Sequence, residues 1–259
     1  MKKSPAVLDA FRLWARTQFS RYSGAVAFVE TEDAKGDKHI GSCFHVGDGV
    51  FVTARHVVDG MKVTTIGFDH DGVSDHLLST TYPDKQTHGL VSMTDGPKFH
   101  ADSQVDVACF KIAPYPEVYI PLGGHFDEYL TQYELVLYRT LVLGYPPIPL
   151  ANKPALVASA GEVNALIEPY GGCRHPHFLV STIARGGFSG GPALVAYNED
   201  NSQGGTALLG LVTQSLVINN CAPELGYMAV LTVQPIYDCL QQHDMLPVFQ
   251  ELGLHDVNP

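Results

Sequence analysis

The chain has 259 residues, 45% of them hydrophobic and 17% charged, with a net charge of -11 and an isoelectric point near 5.4. This is enough apolar content for one large all-β domain or two small ones, and the acidic balance excludes the basic surface that nucleic acid requires. No run reaches the roughly 20 uninterrupted apolar residues of a membrane span, and after Met1-Lys2-Lys3 the charges Asp9, Arg12 and Arg16 break up any apolar leader segment, so a soluble protein with no membrane partner is expected.

Ser4-Pro5 suits a helix start, a hydroxyl cap before a proline at the first helical position, and Val7, Phe11 and Trp14 then recur at helical spacing. One amphipathic helix is predicted within residues 1–23. From Gly24 the pattern changes to short runs of Val, Ile, Thr and Phe divided by Gly, Asp, Asn and Pro, which is the spacing of antiparallel strands. Strands are predicted at 25–30, 42–46, 50–54, 62–68, 105–112, 135–143, 178–181, 192–196, 207–213 and 227–231, with a polar hairpin loop at 198–205. A last helix is predicted at 234–242, where Ile236, Tyr237 and Leu240 share a face, and residues 244–259 form a short tail without a further domain.

Cys43, Cys109, Cys173, Cys221 and Cys239 are an odd set without close pairs in sequence, which fits a reducing cytoplasm better than secretion. Cys109 in an apolar strand and Cys239 on a helix read as small buried hydrophobes.

Three segments carry chemistry. The first is Arg185-Gly186-Gly187-Phe188-Ser189-Gly190-Gly191-Pro192, a glycine-dense turn with one serine between two apolar strands. Glycine there permits unusual backbone angles and lets a substrate carbonyl approach the main chain, so the N–H groups of Gly187 and Ser189 are candidates for an oxyanion hole. In the second, the apolar run from Gly49 ends in Thr53-Ala54 and delivers His56 at the junction of strand and turn, the rigid mounting a catalytic base needs. In the third, Asp106 opens the otherwise apolar run Val107-Ala108-Cys109-Phe110. A carboxylate at such a place requires a hydrogen-bond donor, and an imidazole N–H suits it; Asp102 is the nearest competing acid.

In the chain order His, Asp, Ser these segments resemble the chymotrypsin arrangement and not that of subtilisins or α/β-hydrolases. In detail the chain resembles the bacterial HtrA-like and trypsin-like peptidase branch, from about residue 24 to 242. Gly41-Ser42-Cys43-Phe44 is similar to the strand before the histidine, Thr53-Ala54-Arg55-His56-Val57-Val58 to the histidine segment, and Leu143-Gly144-Tyr145-Pro146 to the turn that opens the second barrel; the segment 159–166 is similar to the strand that follows, and 226–230 to the closing strand. The resemblance implies an all-β, chymotrypsin-like double barrel with an N-terminal and a C-terminal helix, its peptidase domain at 24–243 with barrels at roughly 24–133 and 134–232. It further implies a serine endopeptidase that needs no cofactor or metal, with Ser189 as nucleophile, His56 as base and Asp106 orienting the imidazole, and a polypeptide as substrate. The alternative is a catalytically silent or partner-gated binding module on the same fold, with a regulatory protein as partner.

Two departures from the family stand out. Phe188 precedes the serine where relatives usually carry Asp or Asn, and no Ile-Val-Gly-Gly-like new N-terminus is present to pair with an acid. No PDZ domain is expected after the peptidase. The pocket for the residue before the scissile bond (P1) is implied to contain Ile183, Ala184 and Arg185, with Leu211, Val212 and Thr213 as a wall. With an apolar floor at Ile183 and Arg185 expected to point to solvent, small or medium apolar P1 residues are favoured over Lys and Arg. His175-Pro176-His177 has the look of a metal-ligand pair, but with no nearby acid in sequence and no Cys pair beyond Cys173 it reads as a loop.

Overall fold

Pro5 opens helix α1 (Pro5–Tyr22), because its fixed φ and missing N–H suit a first helical turn. The aromatic residues expected on one face do the docking: Trp14 Nε1 donates to Thr206 Oγ1 at 2.8 Å, its ring stacks on Phe11 with centroids 5.5 Å apart, and the Arg139 guanidinium lies 4.7 Å over Phe11. The computed structural model describes residues 5–69, 91–123, 134–168, 175–182, 186–197, 205–215 and 227–251. Of the expected loop at 198–205, residues 198–204 lie outside them, as do Cys173 and Cys221, while Gly205 already belongs to a strand.

Two six-stranded antiparallel sheets follow. The first comprises β1 (Val26–Glu32), β2 (Lys38–Gly47), β3 (Val50–Thr53), β4 (Lys62–Gly67), β5 (Ser92–Phe99) and β6 (Ala108–Ala113), in the order β4-β1-β2-β3-β6-β5; a bridge between Ile66 and Val91 brings its two edges together. The second comprises β7 (Arg139–Gly144), β8 (Val157–Ile167), β9 (His177–Val180), β10 (Pro192–Tyr197), β11 (Gly205–Ser215) and β12 (Met228–Leu231). It closes into a barrel because β10 pairs with both β11 and β7. This is the double barrel that the resemblance implies.

Strand alternation divides the apolar side chains between two cores. Along β10, Ala193 and Val195 fill the second barrel while Leu194 joins a larger cluster that spans the first barrel and the seam between the two. Helix α3 (Gln234–Gln242), at the range its periodicity gives, buries Ile236, Tyr237 and Leu240 in that larger cluster. Each such Leu, Ile or aromatic side chain contributes roughly 1.5–3 kcal/mol by leaving water. Cys43, Cys109 and Cys239 are free and buried; Cys109 and Cys239, distant in sequence, meet with sulfurs 3.8 Å apart between β6 and α3.

Strands β2 and β7 begin four residues before and four residues after their expected starts, and three further differences bear on how the site is held. Strand β5 was not expected, because Asp95, Gly96, Pro97 and Lys98 break the alternation of an edge strand that is largely exposed. Strand β6 begins at Ala108, three residues after the expected start: Val107 N–H donates to Val105 O at 3.0 Å in a tight bend, which releases Asp106 from the ladder. The tail holds a short helix, α4 (Val248–Glu251), whose buried Gln250 accepts from Leu122 N–H at 3.0 Å and donates to Val46 O at 2.8 Å and Ile120 O at 3.3 Å.

His45, 1% exposed in β2, is satisfied as a neutral ring: Nδ1–H donates to Val118 O at 2.8 Å and Nε2 accepts Gly49 N–H at 3.1 Å. Burial lowers its pKa from the ordinary 6.5. Below pH 6.5 the unfolded chain therefore binds more protons than the folded one, so stability falls as pH drops through that value. Thermal melts should show Tm declining from pH 7 to pH 5, with a shallower decline in His45→Asn; equal slopes would remove His45 from the effect.

Candidate active site

The first barrel supplies a fixed imidazole. Strand β3 is buried along its whole length, Ala54 continues it in extended conformation, and the single turn α2 (Arg55–Val58) buries Val57 and Val58, which leaves the His56 side chain half exposed. Arg55, its Nε 2.7 Å from Asp59 Oδ2 and its guanidinium 4.8 Å over Phe99, braces the turn. Asp106, freed by the bend before β6, takes both donors of the histidine: Oδ1 accepts the His56 backbone N–H at 2.9 Å and Oδ2 accepts Nδ1–H at 2.7 Å. That pair of bonds selects the tautomer with a lone pair on Nε2, the nitrogen a general base uses. Asp102 is engaged elsewhere, its Oδ1 accepting Gln104 N–H at 2.9 Å.

The second barrel supplies the serine. Gly187 has φ +92° and Gly190 φ +85°, a region that disfavours side chains. A Cβ at Gly187 would collide with Tyr145 O, and one at Gly190 with Ser42 O and Thr53 Oγ1; the glycine density that marks the turn in sequence is thus imposed by close approach to both barrels. The turn is tied to β11 through Gly190 N–H to Val212 O at 2.8 Å and Val212 N–H to Gly191 O at 2.9 Å. Phe188, the residue that departs from the family, is 3% exposed and sits in the core of the second barrel against Gly144, where a Cβ would lie 2.7 Å from its Cδ1.

Ser42, fully buried in β2, pins this turn to the first barrel. Its N–H donates to Ser189 O at 2.8 Å, its Oγ–H to Gly187 O at 2.6 Å, and its Oγ accepts Tyr145 N–H at 2.9 Å, while its carbonyl accepts from Thr53 Oγ1 at 2.7 Å. With both carbonyls of the turn drawn toward Ser42, the N–H groups of Gly187 and Ser189 have no hydrogen-bond acceptor among the described residues. The sequence reading names Ser42 only as part of a resembling segment. The signal that marks it is a small polar residue in an apolar strand, which must be hydrogen-bonded once buried.

His56 and Ser189 share a cleft with two lobes. One, of about 530 Å³, is lined by Ser103, Gln104, Asp106 and Thr213 among others; the other, of about 380 Å³, runs past Gly187 to Thr31 and Ile40 of the β1–β2 hairpin. The Ser189 hydroxyl donates to Thr213 O at 3.5 Å and not to His56, a contact at the limit of hydrogen-bond range that a χ1 rotation exchanges at little cost. Of the six residues assigned to the substrate pocket, Ile183, Ala184 and Arg185 lie outside the described residues, and Thr213 lines the cleft. Leu211 and Val212 require a correction: alternation turns Leu211 into the core at the seam and Val212 into the second barrel, both buried, so β11 reaches the cleft through its backbone and Thr213.

A family model described as the trypsin-like peptidase domain matches residues 41–199, a span that contains His56, Asp106 and Ser189. The sequence matches no curated protein significantly. Among solved structures, the active form of the Rv3671c protease from M. tuberculosis is similar with a TM-score of 0.57 at 17% identity, over 92% of this chain and 86% of that one. The HtrA-type protease AlgW with a tripeptide is similar with a TM-score of 0.58 at 14% identity, over 89% of this chain and 63% of that one, so this chain spans less than two thirds of AlgW's length. At these identities the likeness is one of fold. The family match covers well over half of the chain, which belongs to the trypsin-like peptidase domain family.

Proposed function

We propose that the chain is a serine endopeptidase that hydrolyses peptide bonds through an acyl-enzyme, with Ser189 as nucleophile, His56 as general base and then acid, and Asp106 holding the imidazole. The observation that carries this reading is the 2.7 Å bond from His56 Nδ1 to Asp106 Oδ2, with Ser189 in the same cleft. Ser189 transfers its proton to His56 Nε2 and attacks the scissile carbonyl; the oxyanion forms where the open N–H groups of Gly187 and Ser189 stand, and His56 then protonates the leaving amine. Water repeats the sequence on the ester. No step calls on a metal or an organic cofactor.

The second reading, a silent or partner-gated module, draws on the Ser189 hydroxyl being bonded to Thr213 O: binding of a regulatory protein or of the substrate would then turn it to His56. Fluorophosphonate labelling separates the two. Wild type labelled and Ser189→Ala unlabelled supports the peptidase; labelling of wild type only with a partner present supports gating. A cytoplasmic location is part of the proposal, supported by the odd set of five cysteines without close pairs in sequence.

In peptide-cleavage assays Ser189→Ala and His56→Ala should lose nearly all turnover and Asp106→Asn about 10⁴ in kcat through the wrong tautomer; full activity in Ser189→Ala ends the assignment. Ser42→Ala leaves Tyr145 N–H unpaired and the Gly187 carbonyl free to turn, a cost of about 1–3 kcal/mol. If it falls on the oxyanion turn, kcat drops roughly 10- to 100-fold with KM little changed, whereas a fall in Tm with intact kcat would restrict Ser42 to stability. A cleavage profile over a peptide library should be dominated by Val, Ala or Leu at P1, and dominance of Lys and Arg would refute the apolar pocket assigned to Ile183.

A further inference from the structure

Three side chains from three elements converge: His100 at the end of β5, His175 just before β9 and Asp238 on α3. One ligating atom of each lies within 4.8 Å of the other two. The geometry points to a divalent-cation site of the zinc class, with two imidazole nitrogens and one carboxylate oxygen, that ties the first barrel, the second barrel and the C-terminal helix together.

Each arm is held from behind. His100 is 6% exposed, and its backbone N–H donates to Val107 O at 3.2 Å, one residue beyond Asp106. Its Nδ1 accepts the Asp102 N–H at 3.1 Å and lies 3.4 Å from Asp102 O, while Nε2 faces α3, 3.5 Å from Gln242 Nε2. A cation on Nε2 requires the tautomer with the ring proton on Nδ1, which gives up the Asp102 N–H and leaves the Asp102 carbonyl, at 3.4 Å, as the acceptor within reach. Asp238 is one helical turn before Gln242 and so on the same face of α3; its Oδ1 accepts from Gln234 Nε2 at 2.6 Å. The end of α3 is fixed to the end of β5 by Ala101 N–H to Gln242 Oε1 at 2.8 Å and His243 Nε2–H to Phe99 O at 2.7 Å. His175 is set by its own chain, where His177 Nδ1–H donates to His175 O at 3.1 Å and β9 pairs with β12 from His177 onward.

The donor set is the kind zinc takes. Bonds of about 2.0–2.1 Å to nitrogen and oxygen in a tetrahedron separate ligand atoms by roughly 3.3 Å, so the three atoms close on the ion by side-chain rotation of little more than 1 Å, with a water as fourth ligand. In sequence His175 reads as a loop residue for want of a nearby acid; the fold brings that acid from 63 positions away and exchanges His177 for His100 as the second nitrogen.

The test uses the full chain carrying Ser189→Ala, so that self-digestion does not interfere, with zinc and cobalt(II) as probes. Calorimetry should give one zinc per chain with a Kd at or below the micromolar range, and zinc at one hundred times Kd should raise Tm by roughly 5 °C. Cobalt(II) should show visible d–d bands of nitrogen and oxygen ligation without a near-ultraviolet thiolate band. Asp238→Asn, which preserves side-chain shape, and His175→Gln should each weaken binding at least tenfold, while His56→Ala should leave it unchanged. Absence of binding by the folded protein at 100 µM zinc overturns the proposal, as does binding retained in both variants. A thiolate band would assign the metal to the cysteines, and loss of binding in His56→Ala would assign it to the triad; either result overturns the site without touching the peptidase reading.

Discussion

The geometry of the cleft depends on one buried hydroxyl. Ser42 lies in the first barrel, yet its N–H and Oγ–H bind the carbonyls on either side of Phe188 in the second, and its Oγ also receives the N–H of Tyr145. Tyr145 crosses in the other direction, its hydroxyl donating to Val26 O at 3.2 Å and accepting from Asp69 N–H at 3.0 Å. The seam between the barrels is therefore a chain of satisfied polar groups within apolar packing, and such a chain tolerates one register only, because any slip leaves a buried donor unpaired. The distance between His56 and Ser189, which come from opposite sides of that seam, is set by the same bonds.

The clamp also accounts for Phe188. In relatives an acid before the serine can hold the turn by an ion pair; here the turn is anchored below by an aromatic ring in the core of the second barrel and beside it by Ser42. Apolar burial is insensitive to salt and to pH in a way that an exposed ion pair is not. Gly144 is the necessary counterpart of this packing, since a side chain there would occupy the space of the Phe188 ring.

What the sequence disclosed follows from how local each signal is. His56, Asp106 and the serine turn stand at the ends of apolar runs, so their types and order were legible, as was the closing helix with its regular apolar face. Strand β5 was hidden because an exposed edge strand with Pro97 and Gly96 has no alternation to read, and α4 because four residues have no periodicity; its role rests on Gln250, whose three backbone partners come from residues 46, 120 and 122. The wall assigned to β11 failed at Leu211 and Val212 because a strand shared by two cores presents neither face to solvent. Ser42 and the His100–His175–Asp238 cluster are long-range constellations: no window of the chain contains their partners.

Helix α3 adds a second fastening to the one Ser42 makes. Helix α3 packs Ile236 and Leu240 into the seam, Tyr237 Oη donates to Gly123 O at 2.6 Å, and Gln242 and His243 hold the β5 end beside His100. A cleft between two barrels requires this second fastening, because a hinge secured on one side still opens, and a misplacement of about 1 Å between nucleophile and base costs of the order of 10² in rate. The bend that carries Asp106 links these contacts to His56, with Val107 bonded to His100 and Asp106 bonded to the imidazole. Whatever tightens α3 against β5 thus acts on the carboxylate that holds the His56 imidazole, which makes the C-terminal helix part of the frame of the cleft and not an appendage to it.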